Sequence, residues 1–141
     1  MANRLRSGGC HCGAVRYQAE VPEPLAGGRC NCSICAIKGV VMVRIAQSAL
    51  EIVQGADELS CYQFNTMVAR HWFCRNCGVH VYHQPRSAPE LYGINAATLD
   101  GVCPYADFPD VAVNDGVHHM KDHGGVIREA GRLRFEPASA G

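Results

Sequence analysis

The sequence carries no excess charge of either sign and has no long hydrophobic run. Its 13 basic residues equal its 13 acidic residues, so the formal net charge is zero. A neutral chain is a poor candidate for nucleic-acid binding, which takes much of its affinity from neutralised phosphates. The longest apolar stretch, residues 40–43, is far shorter than the roughly 18 residues that a membrane-spanning helix needs. We therefore expect neither nucleic acid nor a membrane among its partners.

The first residues also lack the apolar segment of a secretory signal, which disfavours a disulfide scaffold as the role of the nine cysteines. Pairs spaced as C-x-C are too close to bridge each other comfortably, and an odd total leaves one thiol over. Thiolates also suit iron, but no spacing here matches the runs of ferredoxins. Disulfides and an iron–sulfur cluster stay open as alternatives to zinc, which we favour. Free thiols indicate a reducing compartment, most simply the cytoplasm.

Helical periodicity is almost absent from the chain, and 15 glycines and 7 prolines interrupt it at short intervals. This pattern is typical of an all-β domain built from short strands. Strands are predicted at residues 14–19, 40–45, 51–54, 59–64, 69–73, 79–83 and 91–96, with weaker candidates at 111–113 and 133–135. The first of them alternates, with Val15, Tyr17 and Ala19 on one face, whereas the second is continuously apolar, as in a strand buried on both faces. Residues 116–123 could form a turn or two of helix.

No internal linker or low-complexity tract divides the sequence, and only the first seven and last six residues look loose. At 141 residues the chain is long enough to build one hydrophobic core and no longer than a typical domain. We therefore expect a single domain over residues 1–141.

Seven of the nine cysteines lie in three tight clusters. These are Cys10-x-Cys12, Cys30-x-Cys32-x-x-Cys35 and Cys74-x-x-Cys77. The first and third clusters are glycine-flanked and lie at turns beside predicted strands. Together they offer four thiolates, the number that closes a tetrahedral structural zinc site. The middle cluster offers three, so a second site built from it would keep one position open, as catalytic zinc sites do.

The middle cluster could also be closed by a fourth ligand, namely Cys61, Cys103 or a distant histidine. Both of these cysteines lie in stretches flanked by apolar residues, where a lone cysteine is usually a small buried hydrophobe. We therefore expect Cys61 and Cys103 to be buried, and we interpret the middle cluster as an open site with the closed site as the alternative.

The seven histidines form no standard metal signature. His119 and His123 would share one face of a helix, but without a third ligand a solvated polar turn is the better interpretation. His80 and His83 are three apart in a predicted strand and should face opposite sides. His71 lies just before the third cysteine cluster. We expect a half-buried strand histidine there, and a proton carrier beside the metal is the alternative.

These motifs, in this order, resemble those of the glutathione-dependent formaldehyde-activating enzyme family, which also contains centromere protein V. The resemblance is carried by C-x-C, then C-x-C-S-x-C, then F-C-x-x-C-G, and it covers a core of about residues 8–123. The centromere protein V branch is the more similar. The further positions that match it are Lys38, Phe64-Asn65-Thr66, Ala69, His71, Val79, Pro85-Arg86-Ser87, Leu99-Asp100, Met120-Lys121 and His123.

The resemblance implies a β-tent fold of small antiparallel sheets around a structural zinc. It also implies one set of ligands for each of two zinc ions: Cys10, Cys12, Cys74 and Cys77 for the structural ion, and Cys30, Cys32 and Cys35 for a catalytic one. The implied activity is condensation of glutathione with formaldehyde to S-hydroxymethylglutathione, which is formally the reverse of a carbon–sulfur lyase reaction.

The chemistry of an open three-thiolate site agrees with such an activity. Three thiolates leave Zn²⁺ with a net negative charge, so the ion should acidify water less than one held by three histidines. The site is better suited to binding an incoming thiolate or polarising a carbonyl. Glutathione carries two carboxylates, so its pocket should offer a cation, and Lys38, Arg44 and Arg70 are the candidates. The predicted function is activation of a glutathione-like thiol toward formaldehyde or another small electrophile.

Two functions without catalysis remain as alternatives. One is an interaction module stapled by zinc, although the neutral charge disfavours binding to chromatin or microtubules. The other is a redox sensor, in which the three thiols of the middle cluster release zinc and oxidise. Zinc loss that depends on an oxidant and is reversed by a reductant would distinguish the sensor from a catalyst.

Overall fold

In the computed structural model, which describes residues 2–139, the chain is almost entirely β-structure. The strands are β1 (Ala2–Gly9), β2 (Arg16–Glu23), β3 (Arg29–Cys30), β4 (Met42–Ala46), β5 (Leu50–Gln54), β6 (Leu59–Tyr62), β7 (Arg70–Cys74), β8 (His80–Gln84), β9 (Leu91–Asn95), β10 (Asp110–Asn114) and β11 (Glu129–Arg134). One α-helix, α1, spans Ser33–Lys38. Short 3-10 turns occupy Gln47–Ala49, Ala56–Glu58, Ala96–Thr98 and Met120–Asp122. The all-β prediction is confirmed.

The strands form three small sheets, with neighbours in the orders β1-β2-β5, β4-β9-β8-β7-β6 and β11-β10-β3. All the strand pairs in them are antiparallel except β3, which runs parallel to β10. Because each sheet is narrow, the cysteine clusters at the strand ends come close to neighbouring sheets. This arrangement of small antiparallel sheets is the one expected of a β-tent.

The core is built largely on the inward face of β2 and of the residues that lead into it. Val15, Tyr17 and Ala19 are buried, whereas Arg16 and Gln18 between them are only half-buried, so the predicted alternation is confirmed. Burying an apolar side chain of this size contributes roughly 1.5–3 kcal/mol. The one polar atom of this face also has a partner, because the Tyr17 hydroxyl hydrogen-bonds the hydroxyl of a buried threonine at 2.7 Å.

Strand β4 differs from the expectation that residues 40–45 are buried on both faces. Val43 and Ile45 are buried, but Arg44 between them and Ala46 after them are exposed. The strand has β9 as its only neighbour within the five-stranded sheet, and only one of its two faces packs into the core. The exposed side chain of Arg44 lines a cavity beside the middle cysteine cluster.

The structure corrects the sequence interpretation at two further places. Of the first seven residues, the first lies outside the described residues and the other six belong to β1, which pairs residue by residue with β2 over its whole length. Residues 116–123 contain only the 3-10 turn Met120–Asp122 and no longer helix. Of the last six residues, 136–139 lie outside strands and helices, and 140–141 lie outside the described residues. Within residues 2–139, no helix has the length and apolar character that crossing a membrane requires.

Candidate metal centres and the adjoining cavity

The first candidate metal centre joins the start of the chain to the turn between β7 and β8. The sulfur atoms of Cys10, Cys12, Cys74 and Cys77 all lie within 4.8 Å of one another. The Cys10 and Cys12 sulfurs are 3.6 Å apart, and those of Cys12 and Cys74 are 3.7 Å apart. A tetrahedral zinc with Zn–S bonds of about 2.3 Å needs sulfurs about 3.8 Å apart. The four side chains therefore fit a zinc ion.

Hydrogen-bond donors around this cluster favour charged sulfur. The backbone N–H of Val15 donates to Cys10 Sγ at 3.3 Å, and Asn76 Nδ2 donates to Cys12 Sγ at 3.2 Å. The Asn76 amide lowers the pKa of the Cys12 thiol, because a donated hydrogen bond stabilises the thiolate. Gly78, just after the last cysteine, has φ 75°, a conformation that a side chain would strain. Such a turn lets the backbone fold tightly around the sulfurs.

The second candidate centre is the middle cluster, at the point where β3 leads into α1. The three sulfurs of Cys30, Cys32 and Cys35 lie within 4.8 Å of one another. Cys32 caps α1, and its sulfur accepts the backbone N–H of Cys35 at 3.5 Å, while Cys30 Sγ accepts that of Cys32 at 3.4 Å. Among residues 2–139, no further cysteine, histidine or carboxylate joins the group within the same distance. The cluster can therefore hold a metal ion through three protein ligands.

The three thiols strongly perturb one another. Hydrogen bonds from Cys30 and then Cys35 lower the pKa of Cys32, because both neighbours donate to its thiolate. The pKa of Cys35 is raised, because its proton is shared with Cys30 and Cys32 and its side chain is buried. Three sulfurs this close cannot all ionise without a counter-charge. A soft divalent cation would supply that charge, which is a second sign that this donor set fits zinc.

The lone cysteines do not complete the second centre. Cys61 and Cys103 are both exposed, and neither lies in either sulfur cluster, so the expectation that they are buried is wrong. Cys61 points outward from β6, the edge strand of the five-stranded sheet. Cys103 lies in an exposed turn, where its backbone N–H donates to Asp107 at 2.7 Å. Apolar neighbours in sequence do not bury a residue on the outer face of an edge strand or in a turn.

A cavity of about 530 Å³ opens directly beside the three sulfurs of the middle cluster. Its walls combine β3, α1, the loop after β6 and the segment after β10. The residues that line it are Cys30, Asn31, Cys32, Ser33, Ile34, Cys35, Met42, Arg44, Phe64, Asn65, Thr66, Ala69, His71, His83, Pro85, Arg86, Ser87, Gly116, Val117, His119 and Asp122. The site is therefore large enough for a small thiol and a small second reactant.

Of the three cations predicted to bind substrate, only Arg44 lines this cavity. Its Nη2 donates to the hydroxyl of Ser87 at 3.0 Å, which leaves other guanidinium N–H groups for a ligand. Arg70 is exposed on β7 and does not line the cavity. Lys38 lies behind the cavity wall, where its ammonium group reaches two histidines. The structure thus separates three residues that sequence reasoning had grouped by charge alone.

Arg86 is a cavity residue that the sequence argument named only as part of a matching motif. Its guanidinium forms two hydrogen bonds with the carboxylate of Asp122, at 2.7 and 3.0 Å. This ion pair ties the segment 115–123 across the mouth of the cavity, and it lowers the pKa of Asp122. His119 lies on the same segment and lines the cavity, whereas His123 does not. The spacing of residues in the sequence does not reveal that this segment and the three cysteines line the same cavity.

A buried polar cluster adjoins the cavity on the side of the five-stranded sheet. It contains Lys38, His71, His80 and His83; the Lys38 Nζ atom lies 2.6 Å from His71 Nδ1 and 3.2 Å from His80 Nε2. The ring centroids of His80 and His83 are 6.1 Å apart, so the prediction that they face opposite sides is wrong. The register of β7 against β8 shifts between residues 72 and 73, which places an extra residue on β8 and breaks its alternation.

Burial controls protonation in this cluster. It lowers the pKa of Lys38 to about 8, that of His71 to about 4 and that of His83 to about 3. For the two histidines, the charge of Lys38 is the second cause, because it opposes another positive charge nearby. The histidines are thus neutral at physiological pH. His71 and His83 are also 4% and 5% exposed, more deeply buried than the expected half-buried histidine.

The fold and the cysteine clusters have counterparts among known proteins. The sequence model of the glutathione-dependent formaldehyde-activating enzymes matches residues 5–113. The chain belongs to this family. A Halomonas elongata protein, provisionally named a glutathione-dependent formaldehyde-activating enzyme, is 33% identical over 108 residues, covering 71% of this chain and 69% of the relative. A crystal structure of a Rhodobacter sphaeroides protein matches with a TM-score of 0.67 and 46% identity, over 70% of this chain and 91% of that chain.

Membership in the formaldehyde-activating family confirms the resemblance inferred from the motifs. Both candidate metal centres lie within the matched residues 5–113. The segment 115–123, which contributes Gly116, His119 and Asp122 to the cavity wall, lies beyond them. The family match thus covers both cysteine clusters but does not extend to this segment.

Proposed function

We propose that the protein activates a thiol such as glutathione for addition to formaldehyde or another small electrophile. The observation that carries this proposal is the convergence of three cysteine sulfurs, without a fourth protein ligand among the described residues, on one wall of a 530 Å³ cavity. Family membership supports the choice of thiol and aldehyde. The reaction forms a carbon–sulfur bond, and in the reverse direction it is that of a carbon–sulfur lyase.

Cys30, Cys32 and Cys35 are the residues that would hold a zinc ion at this cavity. When bound there, the ion lowers the pKa of a thiol that joins it and so supplies a nucleophilic sulfur near neutral pH. Cys10, Cys12, Cys74 and Cys77 would hold a second zinc with a structural role, because four protein ligands leave no position for a reactant. Since free thiolates need reducing conditions, the cytoplasm is the compartment we propose.

Arg44 is the residue that we assign to a substrate carboxylate. It lines the same cavity as Cys30, and its remaining N–H donors suit a planar carboxylate. Arg70 and Lys38 do not line this cavity, and the ammonium group of Lys38 contacts histidines, so we assign the substrate carboxylate to neither of them. A thiol anchored at Arg44 would place its sulfur toward the three cysteines.

Zinc content and reaction rate, measured on the same preparations, test the proposal. We expect two zinc ions per chain in the wild type and one in Cys32→Ser, because a site reduced to two thiolates binds zinc weakly. The exchange of ¹³C-formaldehyde with S-hydroxymethylglutathione, followed by NMR exchange spectroscopy, should be faster than the uncatalysed reaction for the wild type but not for Cys32→Ser. Cys103→Ser is the matched control, since it removes an exposed thiol outside both clusters.

Two outcomes would contradict this function in different ways. If Cys32→Ser keeps both its zinc and its exchange rate, the middle cluster is not the reactive site. If the wild type holds one zinc and leaves the exchange at the uncatalysed rate, a zinc-stapled interaction module is the better interpretation. Loss of zinc on treatment with peroxide, fully reversed by a reductant in a protein without exchange activity, would instead indicate a sensor.

A further inference from the structure

We propose that His71 supplies the proton to the carbonyl oxygen when the thiolate adds to the aldehyde, and that Lys38 is a positioning residue that keeps this proton on Nε2. The inference rests on the proposed function and adds to it a residue outside both cysteine clusters. It comes from the buried polar cluster of Lys38, His71, His80 and His83 beside the cavity. Binding of zinc by the cysteines does not explain why these polar side chains are buried together.

The ring of His71 is held in a single orientation. It is stacked between Phe64, at a centroid distance of 6.0 Å, and His83, at 5.6 Å with an interplanar angle of 6°. His83 is itself held, because its Nδ1 lies 3.2 Å from the carbonyl oxygen of Gly93. A β-carbon at Gly93 would lie 2.8 Å from His83 Nδ1, so glycine is needed at this point of β9. These stacked rings fix the orientation of the His71 imidazole and therefore the positions of its two nitrogen atoms.

Lys38 determines which nitrogen of His71 carries the proton. Its Nζ lies 2.6 Å from His71 Nδ1, and an ammonium group can only donate hydrogen bonds. His71 Nδ1 must therefore accept, and a neutral ring then carries its proton on Nε2. No carboxylate of the described residues pairs with Lys38, whose ammonium group instead contacts His71 and His80. Thiolates of the middle cluster favour its charged form electrostatically.

The proton on Nε2 has no partner within the protein. His71 Nε2 is buried and makes no hydrogen bond to any described residue. Because the residue is only 4% exposed, bulk water does not replace the missing partner. Leaving a buried donor unpaired is unfavourable, and such groups are rare in folded proteins. The same side chain lines the cavity that contains the three sulfurs. Because neighbouring atoms cover Nε2, an oxygen atom of a reactant bound in that cavity would become its acceptor once those atoms shift.

The proposed step balances in atoms and electrons. The thiolate sulfur attacks the carbonyl carbon, a carbon–sulfur bond forms, and the π electrons of the carbonyl group move to its oxygen. That oxygen takes the proton from His71 Nε2 while His71 Nδ1 takes one from Lys38 Nζ. The product is the S-hydroxymethyl thioether. When the next thiol ionises, its proton passes to His71 Nε2 and the proton on His71 Nδ1 returns to Lys38 Nζ, so both residues regain their starting states. The lowered pKa of Lys38, about 8, allows this cycle near neutral pH.

His119 is the other histidine of the cavity and the main rival for this role. It lies on the segment after β10, and its Nδ1 accepts the backbone N–H of Lys121 at 3.1 Å. Its ring is less buried than that of His71, so water can satisfy its free nitrogen. The kinetic comparison therefore includes both histidines.

The protonation state of His71 can be read directly by NMR. In ¹⁵N-labelled, zinc-loaded protein, long-range ¹H–¹⁵N spectra should show His71 as a neutral ring with its proton on Nε2 at pH 7.5. The signal is assigned by its loss in His71→Phe. Lys38→Met should convert it to a mixture of tautomers, an effect that a purely structural lysine would not have. A ring protonated on Nδ1, or on both nitrogens, would overturn the assignment without any measurement of activity.

The kinetic test uses exchange between formaldehyde and S-hydroxymethylglutathione. His71→Phe keeps an aromatic ring in the stack and should lower the catalysed rate about a hundredfold, a typical effect of losing a general acid. Its zinc content should stay at the wild-type value. His71→Gln, which restores an N–H donor, should recover part of the rate and also serves if the phenylalanine variant folds poorly. His118→Asn is the matched control, because this exposed histidine does not line the cavity.

The possible failures are distinguishable. A wild type that does not exceed the uncatalysed rate overturns the proposed function and this step with it. An active wild type with an equally active His71→Phe overturns the role of His71 alone. A hundredfold loss in His119→Asn, with His71→Phe unaffected, would move the proton donor to the segment after β10.

Discussion

Gly116 determines how closely the wall of the cavity approaches the middle cysteine cluster. A β-carbon at this position would lie 2.8 Å from Cys32 Cβ and would overlap the sulfur of Cys30. Real side chains essentially never approach so closely, so the segment or the sulfurs would have to move. Glycine is thus required at this position by contact with the ligands and not by its backbone conformation.

We predict that Gly116→Ala weakens zinc binding at the middle cluster by at least about tenfold, because displaced ligands lose their tetrahedral geometry. Competition with a chromophoric chelator should show one zinc released early and one retained as in the wild type. Gly131→Ala is the control, since a β-carbon there meets no atom within 4 Å. If zinc is released equally from Gly116→Ala and the wild type, the segment 115–123 moves to accommodate the methyl group without displacing the cysteine sulfurs.

The cysteine ligands could be predicted from the sequence because their spacing alone brings them together. Cys30, Cys32 and Cys35 lie within six residues, so one loop presents all three sulfurs whatever the fold. Arg86 and Gly116 carry no such signal, because they reach the cavity only through the pairing of distant strands. The geometry of His80 and His83 was missed for a related reason: a register shift in β8 is a property of strand pairing, which local alternation does not reveal.

Among the secondary-structure elements, the segment 115–123 connects the cavity to the rest of the fold through few contacts. At one end the backbone N–H of Val117 donates to Asn31 Oδ1 at 3.0 Å. At the other end Asp122 pairs with Arg86. Exposed ion pairs contribute little to global stability, typically below about 1 kcal/mol. Such a pair can nevertheless govern local opening, because local and global unfolding have separate free energies.

We therefore predict that Asp122→Asn changes the free energy of unfolding by less than about 1 kcal/mol but speeds amide exchange in residues 115–123 several-fold. Hydrogen exchange followed by mass spectrometry measures the second effect, and urea unfolding measures the first. Asp110→Asn is the control, since Asp110 pairs with arginines of β11 away from the cavity. Unchanged exchange in Asp122→Asn would mean that other contacts hold the segment.

Strand β2 was predictable from its apolar pattern, whereas β1 and helix α1 were not. β2 shows its alternation in the sequence, and burial confirms it. β1 is mostly polar and exposed, and it forms because its backbone pairs with β2 along its whole length. Helix α1 has six residues, too few for a periodic pattern; Cys32 caps its start, and Gly39, with φ 63°, ends it. Both missed elements are produced by backbone hydrogen bonds and not by apolar side chains.

Over the whole molecule, the two candidate centres have different mechanical roles. Cys10 and Cys12 follow β1 in the three-stranded sheet, whereas Cys74 and Cys77 lie at the end of β7 and in the turn beyond it. A zinc ion held by these four residues would connect two sheets across a long loop of chain. The middle cluster closes only a six-residue loop at one edge, so an ion there restrains little of the fold.

We predict that loss of the four-cysteine site unfolds the protein, whereas loss of the middle site does not. Zinc bound at a structural site contributes several kcal/mol or more to folding. Cys74→Ser should therefore lower the melting temperature by more than about 10 °C, and Cys32→Ser should lower it by only a few degrees. In the wild type, a strong chelator should remove zinc in two steps, the first without loss of the circular-dichroism signal and the second together with unfolding. Coincidence of both steps with unfolding, or a Cys74→Ser variant that melts like the wild type, would show that the four-cysteine cluster does not join the sheets as the sulfur geometry indicates.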